Sequence, residues 1–152
     1  MMNICSHKNL IITSIHTFRE LPAWFQEAET ENAVVKLGRN GIFYFKRGFW
    51  LNGTWENGLW QHGNWEDGTW LNGRWITGWW RGGTWKNGIW KRGYWWSGTW
   101  ESGTWEYGEW WNGIWLNGVW NNGNWHDGIW IDGLYKEKKC LGFDKYTKPL
   151  LT

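Results

Sequence analysis

The chain has 152 residues, of which 21 are tryptophan, and a net charge of +2 at neutral pH. This length favours a single domain, and so small a net charge does not indicate a nucleic-acid partner. No stretch is long and apolar enough to predict a transmembrane helix. Residues 10–15 are too short, and too interrupted by Thr and Ser, for the apolar core of a signal peptide. We therefore expect an intracellular or virion-associated protein.

Residues 1–47 lack the repeat that follows. Residues 10–18 are rich in β-branched side chains, which predicts a strand. A short helix is predicted within residues 19–32, where Pro22 suits a first turn and four apolar residues lie at helical spacing. These four residues are Leu21, Trp24, Phe25 and Ala28. The apolar runs 34–37 and 42–45, on either side of residues 38–41, predict a hairpin.

Together these elements predict a small α+β N-terminal cap. The first coil of a repeat protein would otherwise expose unpaired backbone groups and an apolar interior. A small independent binding domain is the alternative interpretation of residues 1–47.

Residues 48–135 form a repeat with a period of five. A glycine recurs at every fifth residue from Gly48 to Gly133, and a tryptophan follows two places later from Trp50 to Trp130, with Tyr135 in the last unit. The unit is G-x-W-x-N. A period of five fits neither a helix nor a flat strand, so the chain must bend once in every unit.

Two folds can use such a bend. In an antiparallel meander, each Asn-Gly pair would close a tight hairpin. In a strand of three residues, however, the first and third residues point their amide groups at the same neighbouring strand. Two successive tight turns therefore cannot both be hydrogen-bonded. In a solenoid, each unit is one side of a coil with Gly and Trp pointing inward and Trp-x-Asn-Gly at the corner. A type II turn there would put the Asn at positive φ. We favour the solenoid.

The residues that follow each repeat tryptophan indicate a coil of four sides and twenty residues. We sorted these residues into four columns, each containing residues twenty apart that would stack on one side of the coil. Two of the columns contain seven apolar residues out of nine, and the other two contain none out of eight. Periods of ten or fifteen mix apolar and polar residues in the same column. Glu66, Lys86 and Glu106 would then form a ladder of alternating charge. The prediction is an amphipathic rod of about four and a half coils.

The G-x-W-x-N unit resembles the pentapeptide-repeat family, whose units read A-(D/N)-L-x-x, with Gly here in the small inward position and Trp in the large one. The resemblance covers residues 48–135 and implies an all-β solenoid, a right-handed quadrilateral β-helix. It also implies one possible function, which is mimicry of DNA that protects a topoisomerase.

Nothing in the sequence predicts catalysis. His62 and His126 occupy different positions of the repeat, and no paired carboxylates, Cys-His cluster or phosphate-binding loop are present. We expect no enzyme activity, no cofactor and no metal site. Cys5 and Cys140 form no spacing motif, and free thiols are favoured over a disulfide.

The outward apolar residues predict a protein-interaction or structural module that binds a protein partner or forms a homodimer. The candidate interaction face consists of Leu51, Leu71, Ile76, Ile89, Tyr94, Trp96, Trp111, Ile114, Leu116, Ile129 and Ile131. Exposed apolar surface on this scale marks an interface, or a face covered by the chain's own segment around Trp24. Carbohydrate binding through Trp79, Trp96 and Trp111 is a further alternative, although twenty-residue coils would put Trp79 on a different side.

Residues 136–152 are predicted to be a basic C-terminal tail, with five lysines and two acids. Charge and proline at this end would discourage end-to-end stacking of solenoids. A basic patch for anionic partners is the alternative.

Overall fold

The computed structural model describes residues 6–152 and is an all-β solenoid of about six turns with one very short helix. The predicted solenoid class is confirmed. Cys5 lies outside the described residues, so the expectation about its thiol is not addressed by the structure.

Longer elements flank the repeat at both ends. The N-terminal elements are β1 (His7–Lys8), β2 (Ile11–Ile12), a 3₁₀ turn (Phe18–Glu20), α1 (Ala23–Gln26), β3 (Glu29–Leu37) and β4 (Phe43–Asn52). The C-terminal elements are β22 (Lys138–Phe143) and β23 (Pro149–Leu151).

The repeat itself consists of strands of two residues, each ending on the inward aromatic residue. These strands, β5 to β21, are Thr54–Trp55, Leu59–Trp60, Asn64–Trp65, Thr69–Trp70, Arg74–Trp75, Trp79–Trp80, Thr84–Trp85, Ile89–Trp90, Tyr94–Trp95, Thr99–Trp100, Thr104–Trp105, Glu109–Trp110, Ile114–Trp115, Val119–Trp120, Asn124–Trp125, Ile129–Trp130 and Leu134–Tyr135.

Each coil closes after three units, not four. The strands pair in parallel at a separation of 15 residues, so that Trp80 lies beside Trp95 and Trp85 beside Trp100. The solenoid is therefore three-sided, and the predicted twenty-residue quadrilateral coil and the number of four and a half coils are wrong. The prediction failed because it assumed that outward residues on one side of the coil share the same polarity. The number of residues per coil is fixed instead by the pairing of backbone strands and by the packing of rings in the lumen.

The three sides are named here by their inward aromatic residues. Side 1 carries Trp50, Trp65, Trp80, Trp95, Trp110 and Trp125. Side 2 carries Trp55, Trp70, Trp85, Trp100, Trp115 and Trp130. Side 3 carries Phe45, Trp60, Trp75, Trp90, Trp105, Trp120 and Tyr135.

The lumen is filled by stacked indoles, as the inward assignment of the tryptophans predicted. The inward tryptophans of the repeat from Trp50 to Trp120 are fully buried. Rings one coil apart stack at centroid distances of 4.7–5.0 Å and interplanar angles of 3–8°. Consecutive rings meet edge to face at 5.7–6.0 Å and 68–74°. Both are favourable aromatic geometries, and three indoles per coil fill the cross-section.

The backbone of each unit is held by the coil before it. The N–H of Glu66 donates to the carbonyl of Trp50 at 2.8 Å, and that of Thr69 to Gly53 at 3.0 Å. Gly93 has φ +128°, and a Cβ there would lie 2.6 Å from the carbonyl oxygen of Gly78. No side chain therefore fits at this corner, for reasons of both φ and space.

The repeat asparagines have a different role from the one predicted. Within residues 48–135 only glycines have positive φ, so the predicted type II turn with Asn in that conformation is wrong. Instead the side-chain oxygen of Asn112 accepts a hydrogen bond of 2.8 Å from the N–H of Gly113, and Asn57 does the same for Gly58 at 2.9 Å. Asn and Asp thus satisfy the amide of the glycine that turns the corner.

The N-terminal segment is less helical than predicted. Of residues 10–18 only β2 is a strand, and α1 ends at Gln26 instead of continuing toward residue 32. The chain enters β3 at Glu29 because β3 pairs antiparallel with the ten-residue β4, and this pairing overrides helix propensity. The predicted hairpin around residues 38–41 is confirmed.

The N-terminal elements cover the first end of the lumen. The ring of Trp24 lies 5.0 Å from that of Trp55, and Phe25 lies 6.2 Å from Trp50. Both contact Phe43, which belongs to the same buried cluster. The segment around Trp24 thus covers the end of the lumen, not an outer side.

The C-terminal residues form a folded hairpin and close the other end of the lumen. Phe143 stacks on Trp125 at 5.0 Å and 5° and meets Trp120 and Trp130 edge to face at 5.5 and 5.6 Å. Cys140 is buried beside it, and burial raises the pKa of its thiol. A plain charged tail is therefore the wrong description of this segment, since β22 pairs with both β21 and β23.

Candidate interaction surfaces

Two outward residues flank each inward aromatic residue, and outward residues 15 apart stack along a side. The predicted interaction face is thereby divided among the three sides. Side 1 carries Leu51, Tyr94, Trp96 and Trp111; side 2 carries Leu71, Ile114, Leu116, Ile129 and Ile131; side 3 carries Ile76 and Ile89. Leu51, Leu71, Ile76 and Ile89 are half-buried, whereas the other seven are exposed.

Side 1 carries a group of outward aromatic residues, called here the aromatic ladder. Its members are Trp79, Tyr94, Trp96, Trp111 and His126. Trp79 stacks on Tyr94 at 4.3 Å, and Trp111 on His126 at 4.0 Å, while Trp96 lies 5.9 Å from Trp111 at 43°. The expectation that Trp79 lies on a different side from Trp96 and Trp111 is wrong, because it rested on the twenty-residue coil.

The stacking decides which part of each ring faces solvent. Nearly parallel rings about one coil apart turn their faces toward the neighbouring coils and their edges outward. Trp111 and His126 cover one another in this way. Trp96, which is tilted and 50% exposed, offers the most open ring. The ladder is thus a row of projecting apolar edges and not a flat platform.

A hydrogen-bonded pair of titratable residues lies at the C-terminal end of the ladder. Nε2 of His126 lies 2.6 Å from Oε2 of Glu109, and Nδ2 of Asn124 donates to Oε1 of Glu109 at 2.8 Å. Burial alone would raise the pKa of Glu109, but the hydrogen bonds from His126 and Asn124 and the charge of His126 together lower it. Glu109 therefore holds His126 against Trp111.

Side 2 carries an aliphatic group, called here the side 2 patch, in the last two coils. Its members are Ile114, Leu116, Ile129 and Ile131, and the last two are 55% and 60% exposed. In the four preceding coils the position of Ile114 and Ile129 holds Thr54, Thr69, Thr84 and Thr99. The same backbone position thus changes from polar to apolar along one side.

Charges in the middle of the solenoid pair between neighbouring coils. Arg81 pairs with Glu66 at 3.5 Å, Lys86 with Glu101 at 3.5 Å and Lys91 with Glu106 at 2.9 Å. Each pair spans 15 residues. The predicted ladder of Glu66, Lys86 and Glu106 is wrong, since these residues lie on sides 1, 2 and 3 respectively.

One buried histidine lies in the N-terminal segment. Nε2 of His7 lies 3.2 Å from the carbonyl oxygen of Gln26, and Nδ1 lies 2.8 Å from Oγ1 of Thr30. A carbonyl only accepts, so Nε2 carries the proton and Nδ1 can accept from the hydroxyl of Thr30. Burial is the main cause of the lowered pKa of His7.

The sequence interpretation missed Trp79 and His126 as members of the same group as Trp96 and Trp111. The signal was available, because at a period of fifteen Trp79 precedes Tyr94 in one outward column, and Trp96, Trp111 and His126 follow each other in another.

Over residues 6–152, no helix has the length and apolar character to cross a membrane, and no three His, Cys, Asp or Glu residues group as metal ligands would. Comparisons of the chain with models of known protein families, with curated proteins and with solved structures found no match.

Proposed function

We propose that the protein is a non-enzymatic interaction module that binds a protein partner, or a second copy of itself, through the exposed apolar residues of sides 1 and 2. The grouping of these residues into the aromatic ladder and the side 2 patch is the observation that carries the proposal. Clustered exposed apolar residues mark interaction sites, and Trp and Tyr are prominent among the residues that dominate binding energy.

The ladder and the patch adjoin one another around a corner of the solenoid. Trp111 directly follows β16 on side 1, and Ile114 begins β17 on side 2 after Asn112 and Gly113. A partner that wraps this corner would contact both groups at once. The two groups are therefore treated as one binding surface.

A variant that replaces the patch with residues already tolerated by the coil tests this proposal. Ile114→Thr and Ile129→Thr restore the residue of the earlier coils, and Leu116→Lys places an ammonium one coil above Glu101, as Lys86 lies one coil below it. Wild-type protein should enhance the fluorescence of a hydrophobic dye and show self-association or partner binding by light scattering after size exclusion, and the triple variant should lose much of both.

The matched control is Leu59→Thr with Ile89→Thr, two half-buried residues of side 3. It should leave dye binding and association unchanged. A wild-type protein that is strictly monomeric and binds no dye would contradict the proposal.

We extend the proposal to a relationship with the pentapeptide-repeat family, supported by the shared unit with one small and one large inward residue. The three-sided coil departs from the quadrilateral form that the resemblance implied. Mimicry of DNA is less well supported, because Glu66, Glu101 and Glu106 pair with cations of the neighbouring coils and a mimic needs a strongly acidic surface. A gyrase supercoiling assay tests it directly.

Carbohydrate binding is a second candidate, favoured by the presence of Trp79, Trp96 and Trp111 on one side. A sugar ring would stack mainly on Trp96, since the other rings cover one another. A glycan array is the test: a specific signal that Trp96→Ala removes would support this function, and an array without signal would eliminate it.

A further inference from the structure

A groove opens where the last coil of side 3 meets the C-terminal hairpin, away from the aromatic ladder and the side 2 patch. Its apolar lining comes from Val119, Tyr135 and Leu151, and its charged lining from Lys136, Glu137 and Lys138. Val119 and Tyr135 are half-buried, whereas the three charged residues are exposed. The groove thus combines an apolar floor with an ionic rim.

The turn at the rim is unusual in its backbone. Tyr135 pairs with Lys138 across the hairpin, so Lys136 and Glu137 form a turn of two residues. Lys136 has φ +57°, a left-handed conformation that suits Gly or Asn better than Lys. Its Nζ lies 5.7 Å from the ring centroid of Tyr135. The hairpin therefore holds an ammonium group over the apolar floor.

The lysines of this rim differ from the cations in the middle of the solenoid. Arg81, Lys86 and Lys91 each pair with an acid of a neighbouring coil, whereas neither Lys136 nor Lys138 forms an ion pair within residues 6–152. Five lysines and two acids give residues 136–152 a net charge of +3, so residues 1–135 carry −1 of the chain's total of +2. Of these five lysines, Lys139 pairs with Asp132, whereas Lys136 and Lys138 line the groove.

We propose that this groove binds a short acidic segment of a protein partner. A carboxylate of the segment lies between the ammonium groups of Lys136 and Lys138, where charge-assisted hydrogen bonds form, and an adjacent apolar side chain packs on Val119, Tyr135 and Leu151. This site is separate from the surface proposed for sides 1 and 2.

Charge and size favour an acidic segment over a second copy of the chain. The hairpin of a second copy carries the same excess of lysines, so two such ends repel each other. A stable interface between folded proteins buries about 800 Å² on each partner, far more than a groove between a coil and a hairpin supplies. A peptide segment needs only the two ammonium groups and the apolar floor.

The experiment uses the full chain and a fluorescein-labelled peptide of alternating glutamate and leucine, with binding followed by anisotropy. Amide chemical shifts should change at Val119, Lys136, Lys138 and Leu151 on addition of the peptide. The variant Lys136→Asn with Lys138→Gln removes both charges and keeps a residue that tolerates positive φ. It should weaken binding at least about tenfold, as expected when charged hydrogen bonds are lost.

The matched control is Lys145→Gln with Lys148→Gln, which removes the same charge from the loop between β22 and β23, outside the lining of the groove. It should weaken binding less than about twofold, since distant exposed charges are screened. Equal loss in both variants would overturn the groove as the site, leaving only general attraction to a basic end.

Two further measurements exclude other ligands. A peptide with lysine in place of glutamate, and lauric acid as a free carboxylate with an alkyl chain, should bind more weakly than the acidic peptide. Equal or stronger binding of either one overturns the proposal. Cosedimentation with phosphatidylserine vesicles that depends on Lys136 and Lys138, in the absence of peptide binding, would assign the groove to membranes instead.

Discussion

Trp95 and Trp96 are neighbours in the chain and show the difference between the lumen and the outer sides. Trp95 is fully buried, between Trp80 and Trp110 at 4.8 Å each. Trp96 is 50% exposed and contacts Trp111 at an angle of 43°. The lumen repeats the same stacking of rings from coil to coil, whereas the outer sides change from coil to coil. The fold is thus specified inside, and binding specificity can vary outside without disturbing it.

Truncation of a lumen ring should produce the largest effect. Trp95→Ala removes an indole that stacks on two neighbours and donates from Nε1 to the carbonyl of Asn112 at 3.1 Å. The expected loss in free energy of unfolding is about 3–5 kcal/mol, measured by urea denaturation. Trp96→Ala is the control and should cost less than about 1 kcal/mol in a monomer. Equal losses at the two positions would abolish the distinction between lumen and outer side.

A methyl group at a corner should produce the next largest effect. Gly93→Ala combines φ +128° with a Cβ 2.6 Å from the carbonyl oxygen of Gly78. The expected loss is about 3 kcal/mol, toward the upper end for a strained backbone. Gly41→Ala is the matched control, because Gly41 also has positive φ but open space around its Cβ position. A Gly93 variant no less stable than the Gly41 variant would show that crowding between coils is unimportant.

The N-terminal cap should respond to pH through His7. Its folded-state pKa lies below the ordinary value of 6.5 because the ring is buried, so the unfolded chain takes up this proton first. The contribution of His7 to the free energy of unfolding is fully present above pH 6.5 and is lost as the pH falls below that value. The loss is at most about 1.4 kcal/mol for each pH unit by which the folded-state pKa lies below the unfolded-state pKa. Denaturation midpoints at pH 8 and pH 5 should therefore differ.

His7→Phe should remove that part of the pH dependence, and His62→Phe, which replaces an exposed histidine of the repeat, should not. Glu109 does not interfere with measurements between pH 5 and pH 8. Its pKa is lowered, so its contribution to the free energy of unfolding is lost only in more acidic solution. An unchanged pH profile in the His7 variant would show that the cap is not destabilised by protonation at this site.

Ion pairs on the outer sides should produce the smallest effect. Lys91 and Glu106 are 2.9 Å apart and partly exposed. A double-mutant cycle with Lys91→Ala and Glu106→Ala should give a coupling of about 0.2–1 kcal/mol that declines in high salt. A coupling as large as the loss in Trp95→Ala would mean that the outer sides contribute to the fold as much as the lumen does.

The sequence predicts the lumen better than the outer sides because only the lumen has to repeat from coil to coil. Gly and Trp recur because each coil packs on an identical coil, so the inward assignment and the solenoid class follow from the period of five. The number of sides does not follow, because no constraint forces outward residues such as Glu66 and Leu51 to match along a column. Counting polarity in those columns selected a four-sided coil that strand pairing contradicts.

The ends of the solenoid were predictable only in part. The hairpin of β3 and β4 carries a turn signal, whereas α1 stops early because tertiary pairing takes over at Glu29. Phe143 is a single aromatic residue in a lysine-rich segment, so its role in closing the C-terminal end of the lumen leaves no periodic signal in the sequence. Trp79 joins Trp96 and Trp111 only when the coil has fifteen residues, so the aromatic ladder becomes visible in the sequence only when its residues are sorted at that period.

The closure of each coil after three units restricts how such a gene can grow or shrink. Loss or duplication of one pentapeptide leaves every inward contact intact, yet rotates all later units to the adjacent face of the prism. If the change fell between Tyr94 and Trp111, Trp111 and His126 would no longer lie on the same side as Trp79 and Tyr94. Changes by fifteen residues alter only the length of the rod, so indels in multiples of fifteen preserve a recognition surface that single-unit indels break apart.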